Sequence, residues 1–398
     1  MKINGMDSRD ILSGLVVNLY KKAINPSFEF PLAIRLIDTP DLAKAIFLAP
    51  DTFVKNYFFL ESLSKGRFSA NGEDWKRRAA ITQPFYSQAT TVLDEQALEA
   101  IYAKHIQLYL HSSQPKLSET FINAALEAIS RMFGLSNNIA WPAELVSRAR
   151  AALVDQQAIA WLGSSPKLAE QSQRELRLIF AEFSSLWQAD PELMQLLDQF
   201  NARAQGLADF SAAGELLQSL FAATETAASG MLWAIECMTR YATLPAIMHP
   251  ELHPAEIGFF LDEVLRIFTP VPYVSRVCTK ASVINGQAFA ENEAIIISIV
   301  GVHSDPKHWH EPLLFKPKRE EFVNASYARH AYIPFLSGPR ACAGMKLARQ
   351  EVKCGMQALL KVFAVQACVE PRGLDYGLAS RPSVQLERYL TPRLEVSV

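Results

Sequence analysis

The chain has 398 residues, of which 49% are hydrophobic and 20% charged, and a formal net charge of −2 at pH 7. This is ordinary globular composition, which excludes disordered and fibrous classes. So small a net charge offers no global attraction to nucleic acid or to an acidic membrane. The five cysteines (Cys237, Cys278, Cys342, Cys354, Cys368) are odd in number and form no CxxC pair. That argues against a zinc ribbon or a disulfide framework and for a reducing, cytoplasmic home. Ile11–Tyr20 is too short to span a bilayer, and neither a signal peptide nor a membrane anchor is visible.

Along the chain, Leu32, Ile34 and Leu36 alternate as a strand does, and Thr39 and Asp41 are placed to cap a short helix through Phe47. A polar loop from Ser69 through Asn71-Gly72 runs into a basic helix start, Trp75-Lys76-Arg77-Arg78. Leu93 to Thr239 is helix-rich. His249 to Phe268 reads as a helix entered through Pro254 and ended by Pro270 and Pro272, which cannot continue the hydrogen-bond ladder. Ala281–Val302 carries turn signals at Asn285-Gly286 and Glu291-Asn292 and a β-branched run at Ile295–Val300, a small sheet. A helix follows from about Gly344 to Phe363, and the tail beyond Arg372 forms a last hairpin. The expected fold is mainly α with a minor β part, in one domain over 1–398.

Cys342 lies just before that last long helix. There it meets unpaired backbone N–H groups and the positive end of the helix dipole, which favour thiolate. Ala341, Ala343 and Gly344 let a flat, bulky group approach the backbone, and Arg340 supplies a cation for a carboxylate of that group. The combination suits a thiolate ligand to a haem.

The string from Phe335 through Gly338, Arg340 and Cys342 to Gly344 matches the cysteine-ligand loop of the cytochrome P450 family, F-x-x-G-x-R-x-C-x-G, at all five fixed positions. The chain resembles that family, in its unanchored bacterial form, from about Pro31 onward. The resemblance implies a triangular prism of helices with small β-sheets, holding haem b between two helices with Cys342 on the iron. Glu263-Val264-Leu265-Arg266 resembles the family's E-x-x-R, and Arg319 in Phe315-Lys316-Pro317-Lys318-Arg319 stands where a second arginine joins the same carboxylate. By resemblance these three form a structural network. Phe221-Ala222-Ala223-Thr224-Glu225-Thr226-Ala227-Ala228 resembles the family's oxygen-activating turn. There Glu225 would relay protons and Thr226 would hydrogen-bond oxygen, with Ala222 against the cofactor.

Trp75, Arg276 and Arg340 are the residues expected on the propionates. The basic residue usual four positions after the tryptophan is missing, because Ala79 stands there. Arg78 is the substitute, one residue away in direction. Ala223 and Ala227 also depart from the family's glycine and second hydroxyl. The substrate cavity would be walled by Leu220, Ala222, Ala223, Val271 and Val274, by the aromatic loop (Phe53, Tyr57, Phe58, Phe59, Phe68), and by a roof over Ala158–Phe200 with Trp161, Phe180, Phe183 and Trp187.

The implied activity is monooxygenation of an apolar small molecule with O2 and two electrons. The electrons would come from a ferredoxin or flavodoxin and its NAD(P)H reductase, docking on a basic face of Lys76, Arg77, Lys346, Arg349 and Lys353. A haem-thiolate peroxygenase, isomerase or dehydratase, or a non-enzymatic haem sensor, would share Cys342. The Glu225-Thr226 pair directs the expectation to the monooxygenase. His303, His308 and His310 lack zinc-site spacing and are expected on the surface.

Overall fold

The computed structural model describes residues 2–3, 6–32, 34–136, 139–162, 165–241 and 254–393. A two-residue hairpin (β1 Lys2–Ile3, β2 Met6–Asp7) leads into α1 (Ser8–Ile24), capped by the Asp7 carboxylate. Strand β3 (Arg35–Ile37) sits three residues later than Leu32, where the alternation begins, and α2 (Pro40–Phe47) ends where expected. Proline at the first helical position of α2 loses no bond the helix needs. After β4 (Phe53–Val54) the chain makes one turn of 3₁₀ helix at Phe58–Ser62. It then enters a run of helices: α3 (Gly72–Val92), α4 (Glu95–Leu110), α5 (Leu117–Met132), α6 (Ala143–Leu162), α7 (Pro166–Trp187), α8 (Pro191–Arg203) and α9 (Ala212–Arg240).

Helix α9 is buried on nearly every side, the pattern of a central rather than a surface helix. Leu216, Met231, Trp233 and Ile235 anchor the main core with Tyr102 of α4 and Phe121 of α5. Gly214 lets α9 touch the end of the Phe58–Ser62 turn, because a Cβ there would lie 2.2 Å from the Leu63 carbonyl oxygen. Helix α10 spans Pro254–Ile267; the part of the expected helix before Pro254 lies outside the described residues.

The β-branched region splits where a single small sheet was expected. Strands β6 (Ser282–Ile284) and β7 (Gln287–Phe289) form a hairpin about Asn285-Gly286, both in the left-handed region. Strand β8 (Ala294–Ser298) instead joins a four-stranded sheet of order β3-β8-β5-β4, where β5 is Tyr273–Cys278. The run then turns helical as α11 (Ile299–Val302) because the Ser298 side chain accepts from the Gly301 N–H. After α12 (Glu320–Val323) comes α13 (Met345–Val362). The tail adds β9 (Phe363–Val365), the expected hairpin of β10 (Leu374–Tyr376) with β11 (Ser380–Pro382), and β12 (Leu390–Pro392) paired to β9.

Behind the sheet, Glu263, Arg266 and Arg319 form the anticipated network. Arg266 donates Nε and Nη2 to the Glu263 carboxylate at 2.7 and 2.8 Å, and Arg319 does so at 2.9 Å twice. All three are buried, and the Trp309 ring lies 5.2 and 5.9 Å from the two guanidinium carbons. His303 is not on the surface but buried beside this network. Its Nε2 accepts from the Ile333 N–H at 2.8 Å, so its Nδ1 carries the proton toward the Arg266 carbonyl at 3.0 Å. Burial pushes its pKa down to about 3. A neutral imidazole with both nitrogens satisfied is what the interior tolerates.

Candidate active site

A cavity of about 490 Å³ is lined by the Cys342 loop, by α9 at Ala222, Ala223, Thr226, Ala227 and Gly230, by β5 and by the loop after β4. The cysteine loop is closed by the Cys342 N–H donating to the Phe335 carbonyl at 2.9 Å, with Leu336 and Gly338 at positive φ. Gly338 is required there, since a Cβ would lie 2.6 Å from the Phe47 carbonyl oxygen at the end of α2. Phe335, Cys342 and Gly344 all line the cavity. The Gly344 N–H and the cations Lys55 and Arg67 draw the Cys342 pKa down, but burial outweighs them and the net direction is up. The helix-terminus effect is therefore present without being dominant.

The cavity wall holds four cations: Lys55, Arg67, Arg276 and Arg340. Arg340 lies 4.4 Å from the Trp75 ring centroid and donates to Asn71 Oδ1 at 3.3 Å and the Ala70 carbonyl at 3.0 Å. Asn71 also clasps the Lys55 backbone, at 2.9 and 3.2 Å. No ion pair joins any of the four to a carboxylate among the described residues. Burial first, then the guanidiniums of Arg340 and Arg276, push the Lys55 pKa well down, and burial lowers that of Arg276. Converging cations with no counter-charge require an anion, and a flat group carrying carboxylates supplies one.

Arg78 does not belong to this corner. It is buried and saturated by Asp74 (2.8 Å) and the carbonyls of Lys65 (2.5 Å) and Ala208 (2.8 Å), pinning the loop rather than facing the cavity. A step of one residue turns a helical side chain by about 100°. Arg67 takes the vacant place. It reaches from the preceding loop onto α3, donating to the Ala79 carbonyl at 2.6 Å, Thr82 Oγ1 at 3.0 Å and Gln83 Oε1 at 2.9 Å. Sequence reading missed Arg67 and Lys55 because it took that loop for its aromatics alone. A lysine two residues before Tyr57 was the available signal.

On α9 the Thr226 hydroxyl lines the cavity and donates to the Ala222 carbonyl at 2.8 Å. Glu225, one residue back, points away from it. Arg150 donates Nε and Nη2 to one carboxylate oxygen at 2.8 and 2.6 Å, and Arg381 pairs with the other. Any proton passed by Glu225 requires one of these ion pairs to open.

Val271 and Val274 line the cavity as expected, with Tyr57, Phe59 and Phe68. Leu220 does not; it is buried in the main core. Phe53 packs instead on Phe289 in the sheet, 5.1 Å between centroids. The expected roof is core too: Phe183 and Trp187 are fully buried, Phe180 packs against the same core, and Trp187 Nε1 donates to the Ala140 carbonyl at 3.1 Å. Helix α6 lines the cavity with Leu153, Gln157 and Ala160, the last of which lies within the expected roof segment. The side chains of Phe58 and Trp161 lie outside what is described.

The one acid among the described lining residues is Glu351 of α13, which accepts from the Tyr102 hydroxyl at 3.3 Å. Burial pushes its pKa up to about 8. The folded state therefore holds a proton that the unfolded chain releases near pH 4.5, and this site's contribution to stability falls as pH rises from there to about 8. Glu215, pushed up to about 7, titrates in the same sense. The difference between wild type and Glu351→Gln isolates the first group. Thermal denaturation across pH 5–9 should show the variant gaining on the wild type by up to about 1.4 kcal/mol per pH unit, then levelling. Parallel curves would assign the carboxyl an ordinary pKa.

The basic face is largely neutralised. Arg349 pairs with Asp262, Lys353 with Glu95 at 2.8 Å, Lys76 with Glu73 and Arg77 with Asp74 at 3.6 Å. Of the five expected cations, Lys346 alone has no carboxylate partner among the described residues. The surface is mixed in charge, not basic.

Comparison with known proteins bears on the family and the fold. A family model described as Cytochrome P450 matches residues 167–374. "Probable cytochrome P450 4p3" of Drosophila melanogaster is 30% identical over 215 residues, 48% of this chain and 42% of that protein. "Cytochrome P450 3A11" of Mus musculus is 26% identical over 183 residues, 42% of this chain and 36% of that protein. The chain thus spans less than half the length of these curated relatives. The crystal structure of a cytochrome P450DA mutant heme domain superposes with a TM-score of 0.74 at 18% identity, over 95% of this chain and 92% of that one. At that identity it speaks to the fold.

Proposed function

The chain belongs to the cytochrome P450 family, and from that premise we propose that it is a haem-thiolate monooxygenase, acting as one unit on a largely apolar small molecule. The observation that carries the reading is the coincidence, in one cavity, of the Cys342 thiol, the Thr226 hydroxyl and four cations that pair with no carboxylate among the described residues. Haem b would be held by Cys342 at the iron and by Arg340, Arg276 and Trp75 at its carboxylates, with Arg67 and Lys55 added and Arg78 withdrawn. Ala222, Phe335 and Gly344 would lie against its faces. When bound, that group supplies an iron centre that activates dioxygen, the thiolate favouring O–O cleavage.

The chain's own residues do the rest. Thr226 holds a hydroxyl at the cavity wall, and Glu225 is the nearest acid along α9. Ala223 and Ala227 flank Thr226 on the cavity wall without adding a hydroxyl. Phe59, Phe68, Phe221, Val271 and Val274 exclude water around an apolar substrate. Gln157 Nε2 donates to the hydroxyls of Tyr273 (3.2 Å) and Tyr376 (3.4 Å), giving the cavity one polar end. Electrons would come from a ferredoxin or flavodoxin served by an NAD(P)H reductase, at a face whose mixed charges make docking only weakly salt-dependent. All five cysteines are free, the state a reducing cytoplasm maintains.

The test is the reduced carbon-monoxide difference spectrum. Wild type should give the red-shifted thiolate band, and folded Cys342→Ser should lose it. Folded, haem-loaded wild type without the band would overturn the assignment. Glu225's double ion pair favours one second reading, a peroxygenase, which would give product with hydrogen peroxide alone. Turnover that requires both redox proteins excludes it and the haem sensor together.

A further inference from the structure

The three histidines read together in the sequence do not meet, but one of them meets two residues that no spacing connects. Asp41 in the first turn of α2, His308 in the turn after α11 and His330 in the 3₁₀ turn Arg329–Ala331 bring one ligand atom each to within 4.8 Å of one another. His330 Nε2 lies 3.0 Å from an Asp41 carboxylate oxygen. The two imidazoles stand edge to face, with centroids 5.2 Å apart at 81°. His308 Nδ1 is shielded from solvent and makes no hydrogen bond among the described residues; the acid it pairs with, Asp305, is 3.8 Å away. A shielded imidazole nitrogen without a hydrogen bond thus stands beside an imidazole–carboxylate pair, a donor set that a cation would complete.

We propose that Asp41, His308 and His330 form a structural zinc site, two imidazoles and one carboxylate with water completing a tetrahedron. Nitrogen and carboxylate donors bind Zn2+ at about 2.0–2.2 Å, so the donor atoms must close by roughly 1 Å or more. Asp41 supplies that movement: its side chain is 73% exposed, held among the described residues only by His330, and it leaves the site open to incoming metal. The three ligands come from three segments, so the ion staples α2 to the two turns that lead toward the cysteine loop. The far end of α2 is where the Phe47 carbonyl packs on Gly338. The ion thus braces the strut under that loop. The proposal stands on these residues alone and is independent of the haem assignment.

The test uses tag-free, full-length holoprotein, stripped by dialysis against a chelator and then titrated with zinc chloride. Equilibrium dialysis with metal analysis should give one zinc per chain at pH 7.5. The affinity should drop at least about 10-fold in each of His308→Ala, His330→Ala and Asp41→Asn, and below pH 6 as the imidazoles protonate. Zinc should raise the melting temperature of wild type by a few degrees and leave that of the variants unchanged. Zinc bound equally by wild type and variants would place the ion elsewhere and overturn the proposal. So would a melting temperature that varies with pH but not with zinc, which would reduce the cluster to a His330–Asp41 ion pair.

Discussion

Glu263→Ala should lower the unfolding free energy by about 3–5 kcal/mol, the usual cost of leaving a buried charge unpaired. The guanidiniums of Arg266 and Arg319 bind that carboxylate through two hydrogen bonds each, and neither arginine can reach water. The only other acid beside them among the described residues is Glu321, at 3.6 Å from Arg319. Lys316 also loses its backbone N–H acceptor at 2.9 Å. Urea denaturation of the purified holoprotein measures the change. Lys353→Ala, which breaks only the exposed pair with Glu95, is the control and should shift stability by less than about 1 kcal/mol. A Glu263→Ala effect of that small size would mean that the carbonyls of His303, Pro312, His310 and Leu314 alone satisfy the arginines.

Lys55→Met should act with opposite signs on the two forms of the protein. Without a bound anion, Lys55 faces Arg340, Arg276 and Arg67 at close range, so removing its charge relieves repulsion and raises the melting temperature of cofactor-free protein. With haem bound, the same change removes a charge-assisted contact of about 1.5–3 kcal/mol, which corresponds to roughly 10- to 100-fold faster haem loss to a scavenging acceptor. Arg67→Ala should weaken both forms, because Arg67 also ties the loop to Ala79, Thr82 and Gln83. If Lys55→Met leaves the haem-loss rate unchanged, the anionic edge of the cofactor is held by Arg276, Arg340 and Trp75 without it.

These two sites differ in how far the sequence announced them. Glu263 and Arg266 are three residues apart on one helix, and that spacing alone puts them on one face. Arg319 came from the family's motif and needed the fold only to bring it across. The cation corner was half legible. Arg340, Arg276 and Trp75 were named from motifs, whereas Lys55 and Arg67 reach the cavity from a loop whose path no local pattern specifies.

The errors have one cause as well. Arg78, Leu220 and Phe53 each lie within a few residues of a cavity-lining position and face elsewhere, because periodicity sets which residues share a face but not which face looks inward. His303 was misplaced for the same reason, its burial depending on contacts with Arg266 and Ile333 from other segments.

By itself, then, the sequence determined the mainly helical class, the Cys342 loop at the head of the last long helix and the Glu263–Arg266 pair. Each is written in contiguous residues whose spacing carries the geometry. Only the tertiary structure decided which cations meet the cavity, that two arginines hold Glu225, and that Asp41, His308 and His330 converge. Those depend on where separate segments cross, and a contact between residues hundreds of positions apart leaves no trace in local spacing.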